Sequence, residues 1–269
     1  MHLKRWITSI VALPLLLAVV LKGGVFLFAV LVAVVSLISL KEYYQIVWGA
    51  ETKLLEDPLA MLGFAASPIL IWSAYRGSFK AMMLLTTLNL MGAGWISLRQ
   101  FRTDTRAFER LSKQVCGFIY IPVFLSFLIL IRMSEAGICW IFFLITLIFL
   151  NDIGAFYVGT FLGRHKLCPA VSPNKTIEGS LGGLVAALTA GTVFKLYVLP
   201  AMPWDRAFML FILIAAAGQT GDLFESECKR YAGVKDSGRI LPGHGGLLDR
   251  IDALLFAAPV LYWYLEYIL

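Results

Sequence analysis

Asp222, Glu225, Ser226 and Lys229 follow one another at offsets of three, four and seven, so a helix would set all four on one face. A polar stretch, "KDSGRILPGHGG" (235–246), comes next, and Asp249 and Asp252, again three apart, open a new apolar run. Carboxylates interleaved with Lys229, Arg230, Lys235 and Arg250 suit a particular task. A hard divalent cation such as Mg²⁺ takes one or two carboxylates together with substrate phosphates. Neighbouring bases then neutralise the remaining phosphate charge. Acids alone would suit a cation path, and bases alone a simple anion site. The mixture favours phosphoryl or nucleotidyl transfer. Zinc chemistry is a poor fit, because the three histidines and four cysteines show no ligand spacing.

Two further clusters lie upstream. In "NDIGAFYVGTFLGRHKL", Asp152 sits deep in an apolar run, where an aspartate costs about 3 kcal/mol unless paired or hydrated. It is either a structural partner for a neighbouring helix or part of a water-filled wall. Gly154, Gly159 and Gly163 would let a helix or a ligand come close. In "SPNKTIEGSLGG", Pro173 points to a loop, followed by a helix whose N-terminal amides favour an anion beside Lys175. No GxxxxGK[ST] loop is present, and this segment read alone fits a solvated loop equally well.

These groups must be positioned by a membrane-embedded scaffold. The chain has 269 residues, 59% of them hydrophobic and only 15% charged, against about 25% charged in a soluble domain. Long unbroken apolar runs, rather than alternating short ones, exclude a barrel and predict an all-α polytopic protein. Nine crossings are expected, at 6–21, 25–40, 58–75, 81–98, 115–131, 137–162, 180–199, 207–224 and 251–268. The start, "MHLKRWITSIVALPLLLAVVL", lacks a clear cleavage site and reads as a retained first helix. The second helix is expected to run on through "KEYYQIVW" into the headgroup layer, where Tyr43, Tyr44 and Trp48 suit the interface. With the N-terminus inside, cytoplasmic segments carry 17 basic residues and outside segments 5, leaving Lys195 in a helix. That asymmetry follows the positive-inside rule, and it accounts for the +6 charge without a nucleic-acid partner. All three polar clusters then fall on the cytoplasmic side. The four cysteines read as small apolar filler. Residues 1–135, with about five helices, form an N-terminal part without recognisable chemistry, and 136–269 form the catalytic part.

The residues from Ser226 to Asp252, "SECKRYAGVKDSGRILPGHGGLLDRID", resemble the signature of the phosphatidate cytidylyltransferases, the CDP-diacylglycerol synthases. "GDLFES", "SPNKTIEG" and "NDIGAFYVG" are similar to other segments of that family. The likeness covers roughly 150–260, and only hydropathy extends it upstream. It implies the reaction CTP + phosphatidate → CDP-diacylglycerol + pyrophosphate, in phospholipid biosynthesis, with Mg²⁺ and an accompanying K⁺. It maps the metal ligands to Asp222 and Asp249. Ser226, Lys229 and Arg230 would join them in catalysis, and Lys175, Lys235, Asp236, His244, Arg250 and Asp152 would bind or frame the substrates. It also implies the inner (plasma) membrane, a cytoplasmic active site and a homodimer. A related enzyme acting on an ether-lipid or prenyl phosphate is the nearer alternative. A transporter is the remote one, since transporter acids sit at the midplane among broken helices.

Overall fold

A computed structural model describes residues 14, 16–49, 52–238, 240 and 245–269. Most of the expected first crossing, 6–21, and His244 lie outside the described residues. The helices are α1 (Gly24–Trp48), α2 (Pro58–Tyr75), α3 (Phe79–Gln100), α4 (Ala107–Phe118), α5 (Phe124–Met133), α6 (Gly137–Leu162), α7 (Ile177–Tyr197), α8 (Trp204–Tyr231) and α9 (Leu248–Tyr267). Seven spans among the described residues are long and apolar enough to cross a membrane: α1, α2, α3, the joined α4–α5 rod, α6, α7 and α8. The protein is therefore a helical, multi-pass membrane protein. The expected ninth crossing, 251–268, exists as α9, but it holds Asp249, Arg250, Asp252 and Glu266 and is not among the seven.

Local chemistry starts and joins these helices. Asp57 Oδ1 accepts from the amides of Leu59 and Ala60 at 2.9 and 3.1 Å, and Pro58 at the first helical position needs no partner for an N–H. Ser78 caps α3 through the Ala81 amide at 3.3 Å. α4 and α5 form one rod through a wide π turn, Ile119–Val123, that contains Pro122. Proline has no N–H to give the ordinary ladder, and the wider turn absorbs that loss. The rod spans 107–133 where apolar content alone indicated 115–131, because its first turns, "AFERLSKQ", are helical but charged.

The chain packs as two units: residues 1–133 with 231–250, and residues 134–230 with 251–269. In the first, α1, α2, α3 and the α4–α5 rod pack together. Their buried polar groups pair across helices: Ser36 with Ser67 at 2.9 Å, and the Gln114 amide donating to Asn89 at 3.2 Å. Tyr43 and Tyr44, expected to suit the headgroup layer, are packed inside the unit rather than turned outward. They are 2% and 0% exposed. Gly117 and Gly63 lie against their rings, where side chains would collide.

In the second unit, α6 and α7 pack along a seam of small residues. A Cβ on Gly154 would come 2.5 Å from Ala186 Cβ, and one on Gly183 would come 2.7 Å from the Asn151 carbonyl. So these glycines serve helix approach, one of the two uses expected for them. Between α6 and α7 the chain forms an antiparallel hairpin, β1 (Lys166–Cys168) with β2 (Ser172–Thr176). This corrects the expected loop at Ser172–Thr176. Pro173 is compatible because both strands of a two-stranded sheet are edges.

Candidate active site

The second unit contains a cavity of about 580 Å³. α6 contributes Asp152, Phe156 and Gly159 to its wall; β2 contributes Asn174 and Lys175; α8 contributes Gln219 and Asp222. The hairpin sets Lys175 here, and its ammonium lies 2.6 Å from Asp222 Oδ2. Both side chains remain partly open, at 28% and 34% exposure, so water and a solute can reach them. Asp152 lines the same cavity as Asp222, and Asp252 lies next to the neighbouring turn of the Asp222 helix. Asp252 is near because α8 and α9 touch at Gly221, whose α-carbon lies against the Asp252 carbonyl. Any side chain at 221 would collide there.

The cavity floor is a fixed polar network. The Gln219 amide donates to Asn151 Oδ1 at 2.9 Å and to the Ser180 carbonyl at 3.0 Å, while Ser180 Oγ donates to Gln219 Oε1. Asn151 itself is 1% exposed. Three helices are tied by one carboxamide, and its orientation is set by these partners.

The hairpin is anchored at its base. Thr176 Oγ1 accepts from the Gly179 amide at 3.1 Å, capping α7. Glu178 does not reach back to its own helix cap. It accepts from the amides of Arg164 and His165 at 3.0 and 3.1 Å and lies 2.5 Å from His165 Nδ1. On the other side, Arg230 Nε donates to the Val171 carbonyl at 3.1 Å. Arg230 thus holds the hairpin turn in this structure. Further along α8, Lys229 forms an ion pair with the fully buried Glu225. Ser226, Lys229 and Arg230 share the helix of Asp222 but do not line the cavity.

The remaining predicted residues that the structure describes belong to the first unit. Lys235 and Asp236 lie on the exposed loop after α8, and Arg250 is exposed in the first turn of α9. Asp249 is engaged locally. Its Oδ2 accepts from the amides of Ser237 and Gly246 at 3.0 and 2.8 Å, and its own amide donates to Ser237 Oγ at 3.3 Å. Gly245 turns the chain with φ +81°, a conformation glycine adopts freely. One participant was not anticipated. Glu42 of α1, 1% exposed, accepts from the amides of Leu247 at 3.1 Å and Leu248 at 2.8 Å. Gln219, Ser180 and Ser237 were likewise not singled out, and Asp252 was noted beside Asp249 without a role. For Glu42 the signal was an acid inside an apolar helix, which is costly unless it has a dedicated partner.

No cluster of three or more His, Cys, Asp or Glu that could hold a metal occurs among the described residues. The donor chemistry still fits a hard cation that takes few protein ligands. The cavity offers carboxylate, carboxamide and hydroxyl oxygens, and neither thiol nor imidazole lines it.

Fold and cavity together define a polytopic membrane protein that gathers acids, an ammonium and a rigid polar floor at one place between helices. The chain belongs to the cytidylyltransferase family, whose model matches residues 3–268. It is 34% identical over 259 residues to a Staphylococcus epidermidis protein and 36% identical over 261 residues to one from Staphylococcus saprophyticus, each alignment covering 96% of both chains. It is 42% identical to a Bacillus subtilis protein over 163 residues, 60% of this chain and 61% of the other. All three relatives bear the name phosphatidate cytidylyltransferase.

Proposed function

We propose that this protein transfers CMP from CTP to phosphatidate, giving CDP-diacylglycerol and pyrophosphate. Full-length similarity to proteins of that name supports the substrates. The observation that carries the chemistry is the Lys175–Asp222 pair inside a solute-sized cavity of a membrane protein.

A phosphatidate phosphate oxygen attacks the α-phosphorus of CTP. A new P–O bond forms, the α–β anhydride bond breaks, and pyrophosphate leaves with the bonding electrons. The phosphate monoester is already largely ionised at neutral pH, so no dedicated base is required. Positioning and charge neutralisation supply most of the acceleration. Lys175 orients and neutralises phosphate oxygens, and a phosphate entering the cavity competes with Asp222 for its ammonium. Asp222, freed of that pair, would be available to hold a cation. Gln219 and Ser180 keep the floor rigid, so the bound phosphate finds its partners already placed. Asp152 lines the same wall. Lys229, Arg230, Lys235 and Arg250 supply further positive charge, Ser226 a hydroxyl donor, and Asp236 and His244 frame the nucleotide.

Mg²⁺, when bound, would neutralise charge developing on the phosphate oxygens. Asp222 and Asp249 are the proposed ligands, both assigned by their motifs. Nine crossings, a cytoplasmic N-terminus and a cytoplasmic site in the inner membrane complete the proposal, supported by the 17-to-5 distribution of basic residues. K⁺ and a second copy of the chain rest on the family resemblance; replacing K⁺ with Na⁺ in the assay and measuring mass in nanodiscs test each.

The decisive assay supplies purified protein with labelled CTP, Mg²⁺ and a panel of lipid phosphates. Phosphatidate should give CDP-diacylglycerol and pyrophosphate in equal amounts. Preference for an ether-lipid or prenyl phosphate would move the assignment within the family, and pyrophosphate without any CDP-lipid would overturn it.

A further inference from the structure

We infer that Glu42 is a positioning residue for the transfer reaction, holding Ser237, Leu247 and the start of α9 so that Asp249 is presented in one fixed orientation. The inference rests on the proposed activity for its kinetic arm only.

Its geometry is specific. Glu42 stands on α1, near the other end of the sequence, yet each of its oxygens receives a backbone amide of the loop: Oε1 from Leu247 and Oε2 from Leu248. These are orphan donors at the N-terminus of α9, where negative charge is favoured. Ser237 Oγ lies 3.4 Å from Glu42 Oε2 and accepts from the Asp249 amide at 3.3 Å, so one hydroxyl links the Glu42 carboxylate to the Asp249 backbone. The loop is shaped to the acid. A Cβ on Gly238 would collide with Glu42 Oε1, and one on Gly246 would come 2.8 Å from Glu42 Oε2 while colliding with Ser237 Oγ. The glycines at 238 and 246 therefore serve the approach of the Glu42 carboxylate. An exposed acid could be replaced by water. Glu42 is 1% exposed and Leu248 0%, so no solvent stands ready to take over the Leu248 amide.

Asp57 provides an internal comparison. It too is a buried carboxylate of the first unit that accepts two helix N-terminal amides, but those belong to α2 and do not touch the loop. A purely structural acid should behave like Asp57.

The test compares Glu42→Gln, Glu42→Asp and Asp57→Asn in nanodiscs, at equal amounts of folded protein. Glu42→Gln should lower kcat and raise the Mg²⁺ concentration for half-maximal rate, together by about 10- to 100-fold, the range for removing a supporting partner of a site carboxylate. Glu42→Asp should recover part of that loss, and Asp57→Asn should leave the Mg²⁺ dependence at wild type whatever it does to Tm. Independently of activity, hydrogen exchange at Leu247 and Leu248 should speed up about 10-fold or more in Glu42→Gln. Should that variant not fold, Ser237→Ala carries the same two measurements, with smaller shifts in the same direction. Unchanged exchange at both amides, or a Mg²⁺ dependence shifted equally by Asp57→Asn, overturns the inference. Wild-type protein that forms no CDP-lipid would sink the proposed activity, and the exchange measurement would still decide whether Glu42 holds the loop.

Discussion

Lys175 and Asp222 neutralise one another at 2.6 Å in the cavity, so removing either leaves the other charge without its partner. Lys175→Ala should cut the rate of CDP-lipid formation by about 10²- to 10³-fold, the usual loss for one charge-stabilising donor. Lys175→Arg should recover only part, because a guanidinium is broader and differently placed. Asp249→Asn is a sharper probe. The amide side chain keeps an oxygen for the Ser237 and Gly246 amides, so thermal unfolding should stay near wild type while turnover is abolished. Near wild-type turnover would remove Asp249 from the site. Lys175, Asp222 and Asp152 were legible in the sequence, because charged groups next to apolar runs have few reasons to be there. Glu42 gave the same kind of signal but not its role, because its amide partners stand 205 and 206 positions away and no local spacing rule reaches that far. Asp252 was noted beside Asp249, but its nearness to Asp222 is set by the α8–α9 contact at Gly221, which only packing reveals.

The helices of the second unit came through clearly, because hydrophobic length alone dictates them. Their ends did not. α8 was expected at 207–224 and runs Trp204–Tyr231, since its last two turns are polar and hydropathy cannot tell a polar helix from a loop. The hairpin was missed for a related reason. Pro173 and the polar "SPNKT" suggest irregular chain, and the strand forms only through its pairing with β1. The small-residue seam gives an element-level prediction. Gly154→Val places branched carbon where Ala186 and the Gly182 carbonyl already stand, 2.5 and 2.8 Å from even a first carbon. It should destabilise the protein by about 1–3 kcal/mol, read as a fall in Tm, as overpacking commonly does. At the hairpin base, Glu178→Ala frees the amides of Arg164 and His165, and the KM for CTP should rise as Lys175 loses its fixed position.

Across the whole molecule, the distribution of Lys and Arg makes the orientation testable. In a cysteine-free background, Arg76→Cys and Ala201→Cys should react with an impermeant maleimide on intact cells, and Thr103→Cys only after permeabilisation. The reverse pattern would invert the proposed topology. The two units are also interleaved along the chain, since residues 231–250 complete the first unit after most of the second has been made. That bears on biosynthesis. A ribosome adding about 5–20 residues per second reaches the loop amides roughly 10–40 s after Glu42 has been made. During that interval a membrane helix carries an acid whose eventual partners do not yet exist. Nascent chains ending before residue 237 should therefore be preferred targets of membrane quality control, and release of the last thirty residues should act as the step that commits the N-terminal helices to their final packing.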